Sequence, residues 1–109
     1  MKILLVGDGA REHAIGQGLA NSPTDPELYC LGKHRNPGLL RLAKSYSLGD
    51  IENPNQVLQY AKRLSVDYAV TGPEAANFAG VPDALEEEGI PCFGAKRRLA
   101  EIERSKVLL

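Results

Sequence analysis

Short apolar runs alternate with amphipathic segments along most of this chain. The first run, Lys2–Val6, is aliphatic and ends at Gly7, a pattern typical of a strand that is buried on both faces. From Ala10 the apolar positions follow a helical spacing until the Asn21-Ser22-Pro23 segment stops them, so a helix follows the first strand directly. The same alternation predicts further strands at 27–31, 45–48, 66–71 and 90–93.

The clearest predicted helix opens at Asn53 and Pro54. Asn53 is a suitable N-cap and Pro54 suits the first helical position, while Val57, Ala61 and Leu64 recur at helical spacing. Other helices are predicted around 39–43 and over 81–88 and 96–109.

Strands that alternate with helices in this way pair in parallel through right-handed crossovers. The sequence therefore predicts an α/β fold, a Rossmann-like open parallel sheet of about five strands with helices on both faces. Ligands of such sheets bind at the carboxyl ends of the strands. If the strand order is 3-2-1-4-5, the loop after strand four lies beside the loop after strand one.

Composition narrows the function classes. A chain of 109 residues, 43% hydrophobic and 25% charged, suits one soluble domain. Its net charge of -1 argues against partners that bind a positive surface, such as nucleic acids and anionic membranes.

No apolar run approaches the roughly 18 to 20 residues that cross a bilayer, so we expect a cytoplasmic protein. Cys30 and Cys92 are expected to be reduced core thiols, and no metal motif is present.

The loop after the first strand is the strongest candidate for chemistry. Gly7 and Gly9 precede a helix N-terminus, where free N–H groups and the helix dipole favour a phosphate. The third position of the dinucleotide fingerprint G-x-G-x-x-G holds Glu12, however, and the second strand is followed by cations at 33–35 where an NAD site needs an acid. Both features argue against NAD.

Two loops have alternative interpretations without a ligand. Arg11, Glu12 and His13 could be solvated residues of the first helical turn, although His13 could also contact a ligand or act as an acid or base. Glu74, after the fourth strand, could accept hydrogen bonds from sugar hydroxyls. In the alternative, Pro73 fixes φ in a turn and Glu74 begins a helix as a first-turn anion.

Five short motifs, taken together, resemble the amino-terminal part of glycinamide ribonucleotide synthetase, the family also called phosphoribosylamine-glycine ligase. They occur in the family's order at compatible spacings, and the resemblance covers the whole chain. Two departures from the family pattern are Ala10, where a second adjacent glycine is usual, and Arg35, where glycine is usual. The motifs are Gly7-Asp8-Gly9-Ala10-Arg11-Glu12-His13-Ala14, Asn36-Pro37-Gly38, Gly72-Pro73-Glu74-Ala75, Phe93-Gly94 and Glu103-Arg104-Ser105-Lys106.

The resemblance implies a ligase of purine biosynthesis that joins 5-phosphoribosylamine and glycine through a glycyl phosphate at the expense of ATP. Residues 1–109 would be its substrate-binding, pre-ATP-grasp domain, inactive alone, while ATP and Mg²⁺ or Mn²⁺ would bind mainly in domains beyond this chain. A monomer with small-molecule substrates is implied. The implied site residues are Gly9, Ala10, Arg11 and Glu12 around the substrate phosphate, Asn36 and Gly38 in the neighbouring loop, Pro73 and Glu74 at the ribose, and Lys106 at the nucleotide phosphates.

Two other readings of the chain stay open at this point. The Gly7-Asp8-Gly9 loop would also suit a free-standing nucleotide-binding or regulatory Rossmann module, although the ribose-binding acid is missing. The helical spacing that continues to Leu109 without a stop signal favours a fragment of a longer ligase, but an apolar terminus could also dock a purely structural scaffold onto other domains.

Overall fold

The computed structural model describes residues 1–23 and 26–94, and it alternates strands with helices as the sequence predicts. The helix expected over 96–109, with Lys106, lies outside the described residues. In chain order the elements are β1 (Lys2–Val6), α1 (Ala10–Ala20), β2 (Glu27–Gly32), α2 (Pro37–Leu42), β3 (Ser45–Leu48), α3 (Pro54–Leu64), β4 (Tyr68–Thr71), α4 (Glu74–Phe78), α5 (Val81–Glu87) and β5 (Cys92–Gly94).

The strands of this described region form one parallel sheet in the order β3-β2-β1-β4-β5. The central strand β1 lies between β2 and β4, with Leu5 in register with Cys30 on one side and Val70 on the other. The parallel Rossmann-like sheet and the expected strand order are both confirmed. All loops that follow the strands therefore meet at one edge, the carboxyl edge of the sheet.

Helices cover both faces of the sheet, as predicted. On one face Leu4 and Val6 of β1 pack in a cluster with buried residues of α3 and α5, such as Val57 and Leu85. On the other face Ile3 and Leu5 pack in a cluster with buried residues of α1 and α2. Because successive strand residues point to opposite faces, β1 supplies both clusters, and the described unit has its own hydrophobic core.

Several boundaries differ from the sequence prediction. The fourth strand begins at Tyr68 rather than at 66, and the fifth is Cys92–Gly94 rather than 90–93. A short helix, α4, occupies Glu74–Phe78. The sequence predicts a loop in this segment, with a helix that begins at Glu74 as the alternative, and the structure has the helix. Helix α3 opens as predicted, because the Asn53 side chain accepts a hydrogen bond from the backbone N–H of Gln56 at 3.2 Å.

Both cysteines lie buried in strands as free thiols, as expected. Burial raises the pKa of Cys30 to about 12 and that of Cys92 to about 11. The Cys92 thiol also lies 3.9 Å from the Thr71 hydroxyl oxygen. No helix in the described ranges is long and apolar enough to span a membrane.

Candidate functional site

The loop after β1 turns sharply over the end of its own strand. Gly7 has a φ of +126°, a backbone conformation that residues other than glycine rarely adopt. Its N–H donates a hydrogen bond to the Leu31 carbonyl at 2.8 Å. Gly9 then forms the N-cap of α1, with φ −91° and ψ −177°. Glycine has no side-chain oxygen, so Gly9 cannot accept a hydrogen bond from the N–H groups of the first helical turn.

Glu12 is buried beneath this loop. It is only 6% exposed, and its Oε1 accepts a hydrogen bond from the Gly9 N–H at 2.9 Å. This is the carboxylate half of a capping box. The interpretation of Glu12 as a solvated first-turn residue is therefore wrong, whereas Arg11 on the same turn is exposed and His13 is half-buried.

The Glu12 side chain also closes the gap between the loops that follow β1 and β4. A Cβ atom at Gly7 would lie 2.7 Å from Glu12 Oε1, and one at Gly72 would lie 2.8 Å from Glu12 Cγ. Both distances are shorter than real Cβ contacts, so a side chain at either position would have to displace the Glu12 side chain. Gly72 in turn donates its N–H to the Val6 carbonyl at 3.2 Å, which confirms that the two loops are neighbours.

Asn36 joins the loop after β2 to the loop after β1. Its Nδ2 donates to the Asp8 carbonyl at 2.8 Å, while its Oδ1 accepts from the N–H groups of Gly38 and Leu39 at 3.0 and 3.2 Å. One amide therefore caps α2 and holds the first loop at the same time. The Asp8 carboxylate adds a second connection, since its Oδ2 accepts from the His34 N–H at 2.7 Å.

Gly38 and His13 form the contact between α1 and α2 on this edge. The His13 ring lies so close to Gly38 that a Cβ there would come within 2.8 Å of His13 Cδ2. Packing thus accounts for the position of His13 without a ligand.

The segment after β4 starts a new helix. Pro73 has a φ of −70° and Glu74 is the first residue of α4, with its side chain exposed at the carboxyl edge. Below it, the buried Thr71 hydroxyl donates to Asn77 Oδ1 at 2.6 Å and so ties the end of β4 to α4. Glu74 therefore begins a helix as a first-turn anion, which is the alternative interpretation of this segment. Its exposed carboxylate can still accept hydrogen bonds from hydroxyl groups.

The structure connects most of the site residues suggested by sequence. Asn36 contacts the loop that contains Gly9, Gly9 contacts Glu12, and Glu12 packs against Gly72, next to Pro73 and Glu74. Ala10 and Arg11 are exposed on the first turn of α1, and Arg35 is exposed after β2.

Sequence reasoning missed the connecting residues of this network. Asp8 and Gly72 belong to the quoted motifs, which was a usable signal. Tyr46, whose hydroxyl donates to the His34 carbonyl at 2.5 Å, had no signal beyond its place in a strand.

The sequence model of the family described as "Phosphoribosylglycinamide synthetase, N domain" matches residues 1–103. The chain belongs to this family. Similar proteins include the phosphoribosylamine–glycine ligases of Pyrococcus horikoshii, 49% identical over 106 residues, and of Methanopyrus kandleri, 51% identical over 107 residues. Each alignment covers 97% of this chain but 24% of the relative, so the chain spans about a quarter of the length of these ligases.

Solved structures support the fold. A crystal structure titled phosphoribosylglycinamide synthetase from Anaerococcus prevotii aligns with a TM-score of 0.66 and 22% identity, over 81% of this chain and 22% of that one. A structure titled glycinamide-RNase-transformylase T from Mycobacterium tuberculosis aligns with a TM-score of 0.68 and 18% identity, over 84% and 26% of the two chains. The family resemblance read from the motifs is confirmed.

Proposed function

We propose that this chain is the amino-terminal, substrate-binding domain of a phosphoribosylamine–glycine ligase and that its carboxyl edge holds the phosphoribosyl group. The observation that carries the proposal is the N-terminus of α1, where the N-cap residue Gly9 has no side chain to accept the first-turn N–H groups, beside the Gly72-Pro73-Glu74 segment. The first suits a phosphate and the second suits ribose hydroxyls, and the family membership supplies the reaction.

The phosphate would bind to the outer side of the first turn of α1. The Gly9 N–H already donates to Glu12, so the donors left for a phosphate are the N–H groups of Ala10 and Arg11 and the exposed Arg11 guanidinium. Asn36 would keep this loop in place through its hydrogen bond to the Asp8 carbonyl.

The ribose would lie towards the start of α4. Pro73 restricts the backbone there, and the exposed Glu74 carboxylate would accept hydrogen bonds from two ribose hydroxyls. Gly38 lies against the His13 ring and would shape the neighbouring loop rather than contact the substrate.

The remaining chemistry would belong to the whole ligase, whose relatives are about four times longer than this chain. ATP with Mg²⁺ or Mn²⁺ would transfer a phosphoryl group to the glycine carboxylate, which leaves ADP and gives glycyl phosphate. The phosphoribosylamine nitrogen would then attack the acyl carbon, and the C–O bond to inorganic phosphate would break. Within the described ranges no group of three or more His, Cys, Asp or Glu side chains could hold a metal. The roles we propose for the site residues of this chain are binding and orientation of the substrate.

Lys106 would reach the nucleotide phosphates, and the isolated chain would be inactive. We further propose a monomeric, cytoplasmic enzyme whose partners are its small-molecule substrates and its own remaining domains. Nucleic acids and membranes are not among the proposed partners.

The proposal is tested by Glu74→Ala in the full-length ligase. Losing a charge-assisted hydrogen bond of about 1.5 to 3 kcal/mol should lower kcat/KM for phosphoribosylamine by about 10- to 150-fold and leave ATP binding unchanged. Glu86→Ala, which removes an exposed carboxylate from α5, is the matched control and should have no effect. An unchanged KM and kcat for phosphoribosylamine would remove Glu74 from the site.

The isolated chain offers an independent test. An amide NMR titration with glycinamide ribonucleotide should shift the signals around Gly9, Asn36 and Glu74, whereas NAD and ATP should not. A preference for NAD would instead support a nucleotide-binding module.

A further inference from the structure

The Glu12 side chain lies where a dinucleotide-binding sheet holds its diphosphate. In such sheets the diphosphate binds at the switch point, against the N-terminus of the first helix. The second fingerprint glycine, here Gly9, lets the backbone approach the diphosphate, and a glycine at the third position lets the helix pack closely on the strand. Here the switch point is the gap between β1 and β4, because β2 and β4 lie on opposite sides of β1. Glu12 stands at the third fingerprint position and fills that gap.

Three glycines surround the Glu12 carboxylate. Positions for a Cβ atom at Gly7, Gly9 and Gly72 all fall within 3.2 Å of Glu12 atoms, which shows how closely these backbones approach the side chain. At 6% exposure the side chain leaves little of itself accessible to a ligand. The space that three glycines would otherwise open to a ligand is therefore occupied by the protein itself.

Glu12 also removes one of the donors that a second phosphate would use. Its Oε1 accepts the Gly9 N–H at 2.9 Å, so this donor is no longer free for an anion in the gap. Ala10 and Arg11 are exposed on the first turn of α1, so their N–H groups remain available to one phosphate. The volume of the Glu12 side chain and its hydrogen bond to Gly9 thus both disfavour a second phosphate in this gap.

We infer that Glu12 is a specificity-determining residue that limits this edge to ligands with one phosphate group, because it fills the place of the second. This inference rests on the proposed function, in which a phosphoribosyl monophosphate binds at the N-terminus of α1. It predicts that the selectivity against diphosphates resides in the side chain at position 12 and not in the backbone of the loop.

The test compares Glu12→Gln with Glu12→Ala in the 109-residue chain. Both variants lack the charge, but glutamine keeps the volume of glutamate and an oxygen that can accept the Gly9 N–H, whereas alanine empties the gap. Dissociation constants for inorganic phosphate and inorganic pyrophosphate are measured by calorimetry at one ionic strength. The preference for pyrophosphate over phosphate should be about tenfold higher in Glu12→Ala than in Glu12→Gln.

An equal preference in the two variants would overturn the inference, and Glu86→Ala should match the unmodified chain. If Glu12→Ala fails to fold, as judged by circular dichroism, Glu12→Asn replaces it, since it is shorter than Glu12→Gln by one methylene and equally uncharged. The same preference should then rise by a smaller factor, and no rise would overturn the inference.

The two proposals fail separately. A titration of the unmodified chain with ribose 5-phosphate tests the proposed function, and absence of binding there counts against it. The comparison between the Glu12 variants does not use that ligand, and it decides the role of Glu12 by itself.

Discussion

The side chain of Glu12, on α1, packs directly against the backbone of Gly72, which follows β4 at the other side of the switch point. A Cβ atom at Gly72 would lie 2.8 Å from Glu12 Cγ and 2.5 Å from Glu12 Cδ. The contact joins two loops that are far apart in the sequence, and both loops belong to the proposed phosphoribosyl site. The geometry of the site therefore depends on one carboxylate and on the lack of a side chain opposite it.

Gly72→Ala should destabilise the chain. The added methyl group must displace the buried Glu12 side chain, and overpacking of this kind costs about 1 to 3 kcal/mol of the free energy of unfolding, as measured by urea denaturation. Gly18→Ala is the matched control, because a Cβ at Gly18 meets nothing within 4 Å. Since alanine favours a helix interior by about 1 kcal/mol over glycine, the control should be more stable than the parent. A Gly72→Ala variant as stable as its parent would contradict the contact.

Asn36→Asp should be less stable than the parent by about 1 to 3 kcal/mol. Aspartate keeps the oxygen that caps α2 but loses the N–H that Asn36 donates to the Asp8 carbonyl. Asn53→Asp is the control, because Asn53 uses only its oxygen in capping α3 and aspartate caps equally well. The measurement is urea unfolding of both variants. Equal stabilities of Asn36→Asp and the parent would show that Asn36 acts as a cap alone.

Gly38→Ala and His13→Ala should be strongly coupled. The alanine methyl group at Gly38 collides with the His13 ring, so the single substitution should cost about 1 to 3 kcal/mol. In the His13→Ala background the ring is absent and the same substitution should cost close to nothing. A double-mutant cycle of unfolding free energies measures this coupling, expected at about 0.5 to 3 kcal/mol. Additive effects would contradict the packing of the ring over Gly38.

Stability should fall at alkaline pH because of the two buried thiols. Burial in the folded state raises the pKa of Cys30 from 9.0 to about 12 and that of Cys92 to about 11, so just above pH 9 these thiols ionise only in the unfolded chain. The stability that the protonated thiols contribute is therefore fully present below pH 9. It is lost as the pH rises towards the pKa values of the folded state. Each thiol should lower the free energy of unfolding by about 1.4 kcal/mol per pH unit in this range.

Urea unfolding between pH 8 and pH 10 measures this loss. The Cys30→Ala, Cys92→Ala double variant subtracts the contribution of all other titrating groups, so its stability should fall less steeply. Parallel pH dependences of parent and double variant would show that the thiols are not protected in the folded state.

The local pattern of residues was sufficient for much of the fold. The aliphatic run Lys2–Val6 predicted the central strand with its observed bounds, and the Asn53-Pro54 pair predicted where α3 begins. Such signals depend on neighbours within one strand or one helical turn, and the alternation of elements then restricts the topology to a parallel sheet. The motifs were likewise sufficient to indicate the family.

The tertiary structure alone decided which of the motif residues face each other. Nothing in the spacing around Glu12 distinguishes a solvated carboxylate from one buried under Gly9, because its environment comes from Gly72, which is brought near only when β4 pairs with β1. The same holds for Asn36, whose second partner, Asp8, lies beyond a complete helix and strand. The periodicity of apolar residues indicates which face of a helix or strand is buried, whereas these contacts arise because strands that are distant in the sequence pair in the sheet.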